Sequence, residues 1–168
     1  MDTIIMNEKT MTFHKLYKNY VKHVYRFAYW LTGDDAEAKD ITSETFVRVW
    51  TAGTNPRTES VKAYLFTICR NLYWQDRRKK NRLSAINDEM IDNTILPDKK
   101  AEIVSDFKQV QKALQQLPEM DRIVLIMRAE EEMSYRDIAQ ITGLSISAIK
   151  VKVFRARVKI NQFLNDGE

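Results

Sequence analysis

The segment from Ser134 to Arg157, SYRDIAQITGLSISAIKVKVFRAR, contains a lone glycine, Gly143. The predicted helix that follows this glycine combines cations with small and hydroxyl-bearing residues. Ser147 and Ala148 lie opposite its apolar stripe, and no acidic residue interrupts the cations after Gly143. Small or hydrogen-bonding residues can approach base edges in a DNA major groove while Lys and Arg neutralise the phosphates. The pattern therefore indicates binding to duplex DNA. The candidate contact residues are Ser145, Ser147, Ala148, Lys150, Lys152, Arg155 and Arg157.

Two short helices joined by a turn would position these residues. Ala139 is small enough for two helices to cross, and Gly143 tolerates the positive φ of a tight turn. Ser145 is a favourable N-cap for the second helix. A charge run alone is more typical of a solvated amphipathic helix, but the turn geometry favours a DNA-binding helix-turn-helix. Phe154 projects away from the apolar stripe and is expected to pack on a neighbouring helix.

A second cationic run, ICRNLYWQDRRKKNR from Ile68 to Arg82, contains two aromatic residues. Aromatic rings and pockets beside cations suit single-stranded nucleic acid, because the cations follow the backbone while the rings hold unstacked bases. The alternative is that Tyr73 and Trp74 pack beneath the first helix. The spacing leaves both possibilities open for either ring. The cations of this run are Arg70, Arg77, Arg78, Lys79, Lys80 and Arg82.

An acidic ridge is predicted on the second helix. Asp40 and Glu44 are like charges four residues apart, which is a mildly unfavourable pair. Arg48 could relieve Glu44 within the helix. Alternatively, the ridge docks on a basic and apolar partner surface together with Phe46 and Trp50. The spacing alone does not decide between these interpretations.

Apolar residues recur at three- and four-residue steps nearly throughout the chain, which predicts an all-α fold. Gly33 is expected to end the first helix, and Asp34 and Ser60 are expected to cap the second and third. No alternating apolar pattern is long enough to propose a sheet. The prediction is two small helical domains, over residues 1–82 and 107–168, joined by an acidic flexible linker over residues 83–106.

Composition narrows the possible partners of this 168-residue chain. Its net charge is +4, and the two predicted domains are basic whereas the linker is acidic. This distribution favours a polyanionic partner over a membrane surface. The single cysteine, Cys69, suits a reducing compartment, and no spacing of a metal site is present. The chain also lacks a signal-peptide core and a membrane-spanning run, so we expect a cytoplasmic protein without metal or cofactor.

Four segments in order resemble one family. They are AKDITSETFVRVW, AYLFTICRNLYWQDRRKKNR, ALQQLPEMDRIVLIMRAEEEMSYRDIA and GLSISAIKVKVFRAR. They are similar to the successive regions of bacterial RNA polymerase sigma factors of the extracytoplasmic-function (ECF) group. The resemblance runs from about residue 13 to residue 164. It implies a helical sigma-2 domain, a flexible linker and a helical sigma-4 domain. It also implies RNA polymerase core, promoter DNA and an anti-sigma factor as partners.

The resemblance also implies roles for particular residues. The helix bearing Asp40, Glu44, Phe46, Arg48 and Trp50 corresponds to the one that binds core polymerase. The loop over residues 53–59, which contains Asn55, corresponds to the one that captures a flipped base of the minus-ten element. Residues matching the minus-ten helix are Arg70, Asn71, Trp74, Asp76, Arg77 and Arg78. Residues matching the minus-thirty-five reading helix are Ser147, Ala148, Lys150, Lys152 and Arg155.

The predicted function is therefore that of a transcription initiation factor that directs polymerase to promoters. The alternative is a stand-alone helix-turn-helix regulator whose first domain senses a ligand or dimerises. The RRKKNR run with Tyr73 and Trp74 argues against it, because a sensory domain has no need of such a run. An enzyme acting on nucleic acid is not expected, because the sequence has no phosphate-binding glycine loop and no nucleophile beside a histidine.

Overall fold

The computed structural model describes residues 3–6, 9–53, 60–85 and 101–166, and it confirms the predicted all-α fold. Within this part of the chain there are seven helices and one short hairpin. The hairpin pairs β1 (Thr3–Met6) with β2 (Lys9–Thr12) in antiparallel register, with Ile4 opposite Met11. The sequence pattern does not predict this hairpin, because four residues per strand give no clear alternation. The elements are β1 (Thr3–Met6), β2 (Lys9–Thr12), α1 (Phe13–Thr32), α2 (Asp35–Ala52), α3 (Val61–Ser84), α4 (Ala101–Gln115), α5 (Glu119–Ala129), α6 (Tyr135–Thr142) and α7 (Ile146–Asn165).

Side-chain caps begin the helices where the sequence predicted them. The side chain of Asp34 accepts a hydrogen bond from the Glu37 amide at 2.9 Å, and that of Ser60 accepts one from Ala63 at 3.2 Å. Ser145 caps α7 in the same way, through the amide of Ala148 at 3.1 Å. Each cap satisfies one of the backbone N–H groups that a helix start leaves unpaired.

Helices α1, α2 and α3 pack around an aromatic and aliphatic core. Phe27 and Phe66 stack with ring centroids 4.4 Å apart, and both side chains are fully buried. Leu16 and Leu65 are also fully buried, as is the thiol of Cys69. The three- and four-residue apolar spacing of α1 therefore corresponds to a real buried face.

Helices α4 to α7 contribute to the same continuous core. Ile123 and Met127 of α5 are fully buried, and so are Ile138 of α6 and Ile149 of α7. The apolar stripe of α7 is buried at Ile149, Val153 and Ala156, whereas Phe163 near the end of the helix is exposed. Phe163 lies in the last turn of α7, beyond the core that α5 and α6 provide.

The two halves, α1–α3 and α4–α7, contact each other directly. Phe107 of α4 lies against Trp30 of α1, with ring centroids 4.7 Å apart. Arg122 of α5 donates a hydrogen bond to the hydroxyl of Tyr73 in α3 at 2.6 Å. Helix α4 begins at Ala101, inside the segment predicted to be linker, whereas residues 86–100 of that segment lie outside the described part.

Candidate nucleic-acid interface

Helices α6 and α7 form the predicted helix-turn-helix, and its turn depends on a glycine. Gly143 has φ +73° and ends α6 by donating its N–H to the carbonyl of Ala139 at 2.8 Å. A residue with a side chain is strained in this left-handed conformation. Ile138 is fully buried behind the turn and Ala139 is half-buried. The sequence interpretation of this supersecondary unit is therefore confirmed in its geometry.

The exposed face of α7 carries most of the predicted reading residues. Ala148 is half-buried, whereas the buried residues of the helix, Ile149, Val153 and Ala156, lie on the opposite side. The Lys150 ammonium lies 5.5 Å from the centre of the Tyr135 ring, which holds this cation near the start of the helix. The exposed predicted residues are Ser145, Ser147, Lys150, Arg155 and Arg157.

Two side chains of α7 depart from their sequence interpretation. The Lys152 ammonium donates to Asp121 Oδ1 at 3.1 Å, and the side chain of Asp121 is only 6% exposed. Lys152 therefore neutralises a buried acid inside the protein, and its ammonium is not a free phosphate contact. Phe154 was expected to pack on a neighbouring helix, and this expectation is wrong because the residue is 70% exposed. No described helix covers that side of α7.

The minus-ten residues predicted on α3 lie partly against the second half of the molecule. Trp74 is half-buried, and its indole N–H donates to Glu119 Oε2 at 3.0 Å. The guanidinium of Arg70 stacks on the Trp74 ring at 4.6 Å and donates to Asn71 Oδ1 at 3.0 Å. Burial lowers the pKa of Arg70 below its usual value. Its buried Nε and Nη1 find no hydrogen-bond acceptor among the described residues.

Tyr73 is buried within the protein, and the hydrogen bonds of its hydroxyl are with residues of α3 and α5. Its side chain is 1% exposed, and its hydroxyl accepts hydrogen bonds from Arg77 at 3.0 Å and from Arg122 at 2.6 Å. Burial raises the pKa of Tyr73, although the two neighbouring guanidinium groups oppose this effect. The Nε group of Arg77 is therefore used in a hydrogen bond within the protein. Of the other predicted residues of this region, Asn55 lies outside the described part, Asp76 is half-buried, and Asn71 and Arg78 are exposed.

Helix α2 and the start of α1 border an apolar groove of about 580 Å³. Phe46, one of the predicted polymerase-binding residues, is 3% exposed and packs edge-on against Tyr17 at 4.9 Å. Trp50 is half-exposed, and its ring lies 4.9 Å from that of Phe13. Phe46 therefore supports the groove from below, and the surface available to a partner comes from its exposed neighbours. The lining residues are Phe13, His14, Tyr17, Ser43, Phe46, Val47 and Trp50.

The sequence pattern does not identify Tyr17 and Val47 as components of this groove. Both are about half-exposed apolar residues, at 44% and 53%. Tyr17 belongs to the three- and four-residue apolar pattern of α1, which is typical of a buried stripe, and a valine one residue from Phe46 gives no separate signal. Asp40 and Glu44 are exposed on α2, and Arg48 donates a hydrogen bond to Glu44 at 3.2 Å, which is one of the two possibilities that the spacing left open.

No group of three or more His, Cys, Asp or Glu side chains in residues 3–6, 9–53, 60–85 and 101–166 could hold a metal ion. Over the same ranges, no helix combines the length and the apolar character that crossing a membrane requires.

Two family models match the chain in sequence order. Residues 16–83, which include most of α1 and all of α2, match the family described as Sigma-70 region 2. Residues 107–160, which include α5, α6 and the reading face of α7, match the family described as Sigma-70, region 4. The predicted polymerase-binding and minus-ten residues therefore lie in the first matched region, and the predicted minus-thirty-five residues lie in the second.

Related proteins of known sequence and structure are similar over most of their length. The ECF RNA polymerase sigma factor EcfG of Rhodopseudomonas palustris is 33% identical over 144 residues, covering 82% of this chain and 77% of that protein. SigM of Bacillus subtilis is 29% identical over 159 residues, covering 94% and 98% respectively. The sigma factor RpoE of Bartonella quintana, solved in complex with the anti-sigma factor NepR, matches with a TM-score of 0.78 at 28% identity, covering 91% of this chain and 96% of that one. The chain belongs to the ECF group of sigma-70 RNA polymerase sigma factors.

Proposed function

We propose that this chain is the promoter-specificity subunit of a bacterial RNA polymerase. In this role it binds the polymerase core, reads the minus-thirty-five duplex with α7, and captures the melted minus-ten strand beside α3. The observation that carries the proposal is the match of one chain to sigma-70 region 2 and then to region 4, each with a predicted nucleic-acid surface. The chain itself catalyses no reaction, and the polymerase supplies the phosphoryl chemistry.

The proposed domains keep the predicted ranges, except that the helical structure of the second domain begins earlier, at Ala101. Residues 1–82 would bind core and the minus-ten element, and residues 107–168 would bind the minus-thirty-five element. Helix α4 begins at Ala101, so the connecting segment is shorter than residues 83–106. The chain would act where promoters and polymerase occur together, which in bacteria is the cytoplasm.

The groove beside α2 is the proposed contact with the polymerase core. Its floor is apolar, and the exposed carboxylates of Asp40 and Glu44 lie on the same helix as its rim. A partner segment that is apolar at its centre and basic at its edge would complement this surface. Trp50 is suited to anchor such a contact because it is aromatic and half-exposed.

Free-energy magnitudes explain why the chain needs the polymerase. Stacking contributes about 1.4 kcal/mol per base-pair step, so opening six steps costs about 8 kcal/mol. Capturing two bases on aromatic or apolar surfaces returns about 2–6 kcal/mol. The isolated chain is therefore not expected to melt a promoter.

A protein partner of the anti-sigma class is also proposed, because the RpoE relative is solved with one.

The test combines purified core polymerase with the chain and a library of randomised duplex DNA. Duplexes that are retained are recovered and probed with permanganate, which reacts with unpaired thymines. We expect opening only when core and chain are both present. Tight duplex binding by the chain alone as a dimer, without any effect of core, would instead support the stand-alone regulator and overturn the proposal.

A matched pair of variants tests the groove in the same assay. Val47→Asp places a charge in the apolar groove at a position that is 53% exposed, so the fold should tolerate it. Ala36→Asp adds the same charge at an exposed position of the same helix, about three turns away. We expect Val47→Asp to weaken co-purification with core at least tenfold and Ala36→Asp to leave it unchanged. Equal core affinity in both variants would remove the groove from the proposed interface.

A further inference from the structure

The exposed face of α7 carries apolar side chains that the fold does not require. Val151 is 46% exposed, Phe154 is 70% exposed and Val158 is 39% exposed. The helix already has a separate buried face, formed by Ile149, Val153 and Ala156, which lies on its other side. Single exposed apolar residues are normal in proteins, but three at positions i, i+3 and i+7 form one ridge.

The charge around this ridge indicates what covers it. From Ile146 to Asn165, helix α7 contains no Asp or Glu. Lys150, Arg155 and Arg157 are all exposed beside the ridge. A surface that is apolar along its centre and cationic at its edges complements a DNA major groove, where thymine methyl groups line the floor and phosphates form the walls.

Val151 occupies the central position of this face. Ser147 lies one turn before it and Arg155 one turn after it, on the same side of the helix. At 1.5 Å per residue, Val151 is about 7.5 Å from the first residue of α7 and Val158 is about 18 Å from it. A major groove is about 12 Å wide, and recognition helices contact bases through their amino-terminal residues. Val151 is therefore within reach of the base edges, and Val158 is beyond them.

We propose that Val151 determines sequence preference by packing against the 5-methyl group of one thymine in the minus-thirty-five duplex. This inference rests on the proposed function, because it takes α7 to be the duplex-reading helix. Thymine is the base that presents a methyl group in the major groove. The valine side chain has methyl groups and no hydrogen-bonding atom, so it gains from that contact and gains nothing from a polar base edge.

The test removes only the methyl group from the DNA. A minus-thirty-five duplex selected with the polymerase-bound chain is remade with deoxyuridine replacing each thymidine in turn, which leaves the hydrogen-bonding edges unchanged. We expect one position where deoxyuridine weakens binding by a factor of about four, the effect of one buried methyl group. With Val151→Ala, thymidine and deoxyuridine at that position should bind equally well.

Val158→Ala is the matched control. It removes the same atoms from the same ridge at an exposed position outside the groove, and it should keep the full sensitivity to deoxyuridine. Both substitutions are at exposed sites, where effects on stability are small. If Phe154→Ala abolishes the sensitivity while Val151→Ala retains it, the assignment to Val151 is wrong.

Other outcomes separate this inference from the proposed function. A selected element without thymine, or one tolerant of deoxyuridine at every position, overturns the assignment of Val151 and leaves the promoter-binding function standing. Failure of the chain and core together to retain any duplex overturns the proposed function, and the assignment with it.

Discussion

At the scale of single residues, the cations of α7 have different roles although they look alike in the sequence. Lys152 neutralises Asp121, which is 4% exposed, whereas Lys159 is exposed on the same helix. We expect Lys152→Ala to lower the free energy of unfolding by about 1–3 kcal/mol, because the buried carboxylate loses its partner. Lys159→Ala should change it by less than about 0.5 kcal/mol. Urea denaturation followed by circular dichroism measures both values, and equal losses would contradict the pairing.

Local contacts explain which of these residues could be predicted. The caps at Asp34, Ser60 and Ser145 were predictable because each side chain bonds an amide only three residues away. The partner of Lys152 lies 31 residues earlier, on another helix. No helical periodicity encodes such a pairing, so the sequence placed Lys152 among the phosphate contacts. The expectation that Phe154 is packed was wrong for the same reason, because its exposure depends on where the other helices of the fold lie.

The thiol of Cys69 gives a second prediction at this scale. The residue is fully buried in α3, and burial raises the pKa of its thiol well above the usual range. Because the thiolate is the reactive form, the native protein should not react with a disulfide reagent at about pH 8. Unfolding in guanidinium should release one reactive thiol per chain. Rapid reaction of the native protein would show that this core opens frequently.

At the scale of helices, the junction between α1 and α4 depends on a glycine. Gly33 ends α1 with φ +71°, and a Cβ there would lie 2.8 Å from Nε2 of Gln111 in α4. That Nε2 donates to the carbonyl of Tyr29 at 3.3 Å, which joins the two helices. Gly143 ends α6 with φ +73°, and no atom of the described residues lies within 4 Å of its Cβ position. A residue with a side chain would therefore have a strained backbone at either position. Only at Gly33 would its Cβ also displace the Gln111 side chain.

We expect the two glycine substitutions to differ by the loss of that contact. Gly143→Ala should lower the free energy of unfolding by about 1–2 kcal/mol, the cost of a left-handed conformation for a residue with a side chain. Gly33→Ala should lose about 1 kcal/mol more, because the Gln111 hydrogen bond is displaced. Chemical denaturation of the two variants measures the difference. Equal losses would show that Gln111 contributes nothing to the junction.

At the scale of the whole molecule, the proposed function requires the two halves to separate. Two turns of DNA extend about 70 Å, whereas a flexible linker of two dozen residues typically spans about 27 Å. In the structure the halves are in contact, and Trp74 of the predicted minus-ten surface bonds Glu119 of α5. The sequence predicted both halves, because each has its own apolar periodicity. It could not predict their contact, which depends on charged and apolar residues that lie far apart in the chain.

Glu131, between α5 and α6, is the central charge of that contact. Its carboxylate is fully buried and lies 2.8 Å from His23 of α1, 2.8 Å from Lys62 of α3 and 3.4 Å from Arg26 of α1. The side chains of His23, Lys62 and Arg26 are partly exposed, so solvent screening reduces the strength of these pairs. Removing the carboxylate would leave His23 and Lys62 without an acid to bind across the junction, which weakens the contact between the halves.

We therefore expect Glu131→Ala to separate the halves without unfolding them. The radius of gyration measured by small-angle X-ray scattering should rise relative to the parent, because a compact chain becomes two tethered units. Helix content measured by circular dichroism should not change. Glu130→Gln is the matched control, since Glu130 is 39% exposed and pairs only with Arg26 among the described residues, at 3.5 Å. An unchanged radius of gyration in Glu131→Ala would mean that the apolar contacts of Phe107 with α1 are sufficient to hold the halves together, so that polymerase binding would have to break those contacts as well.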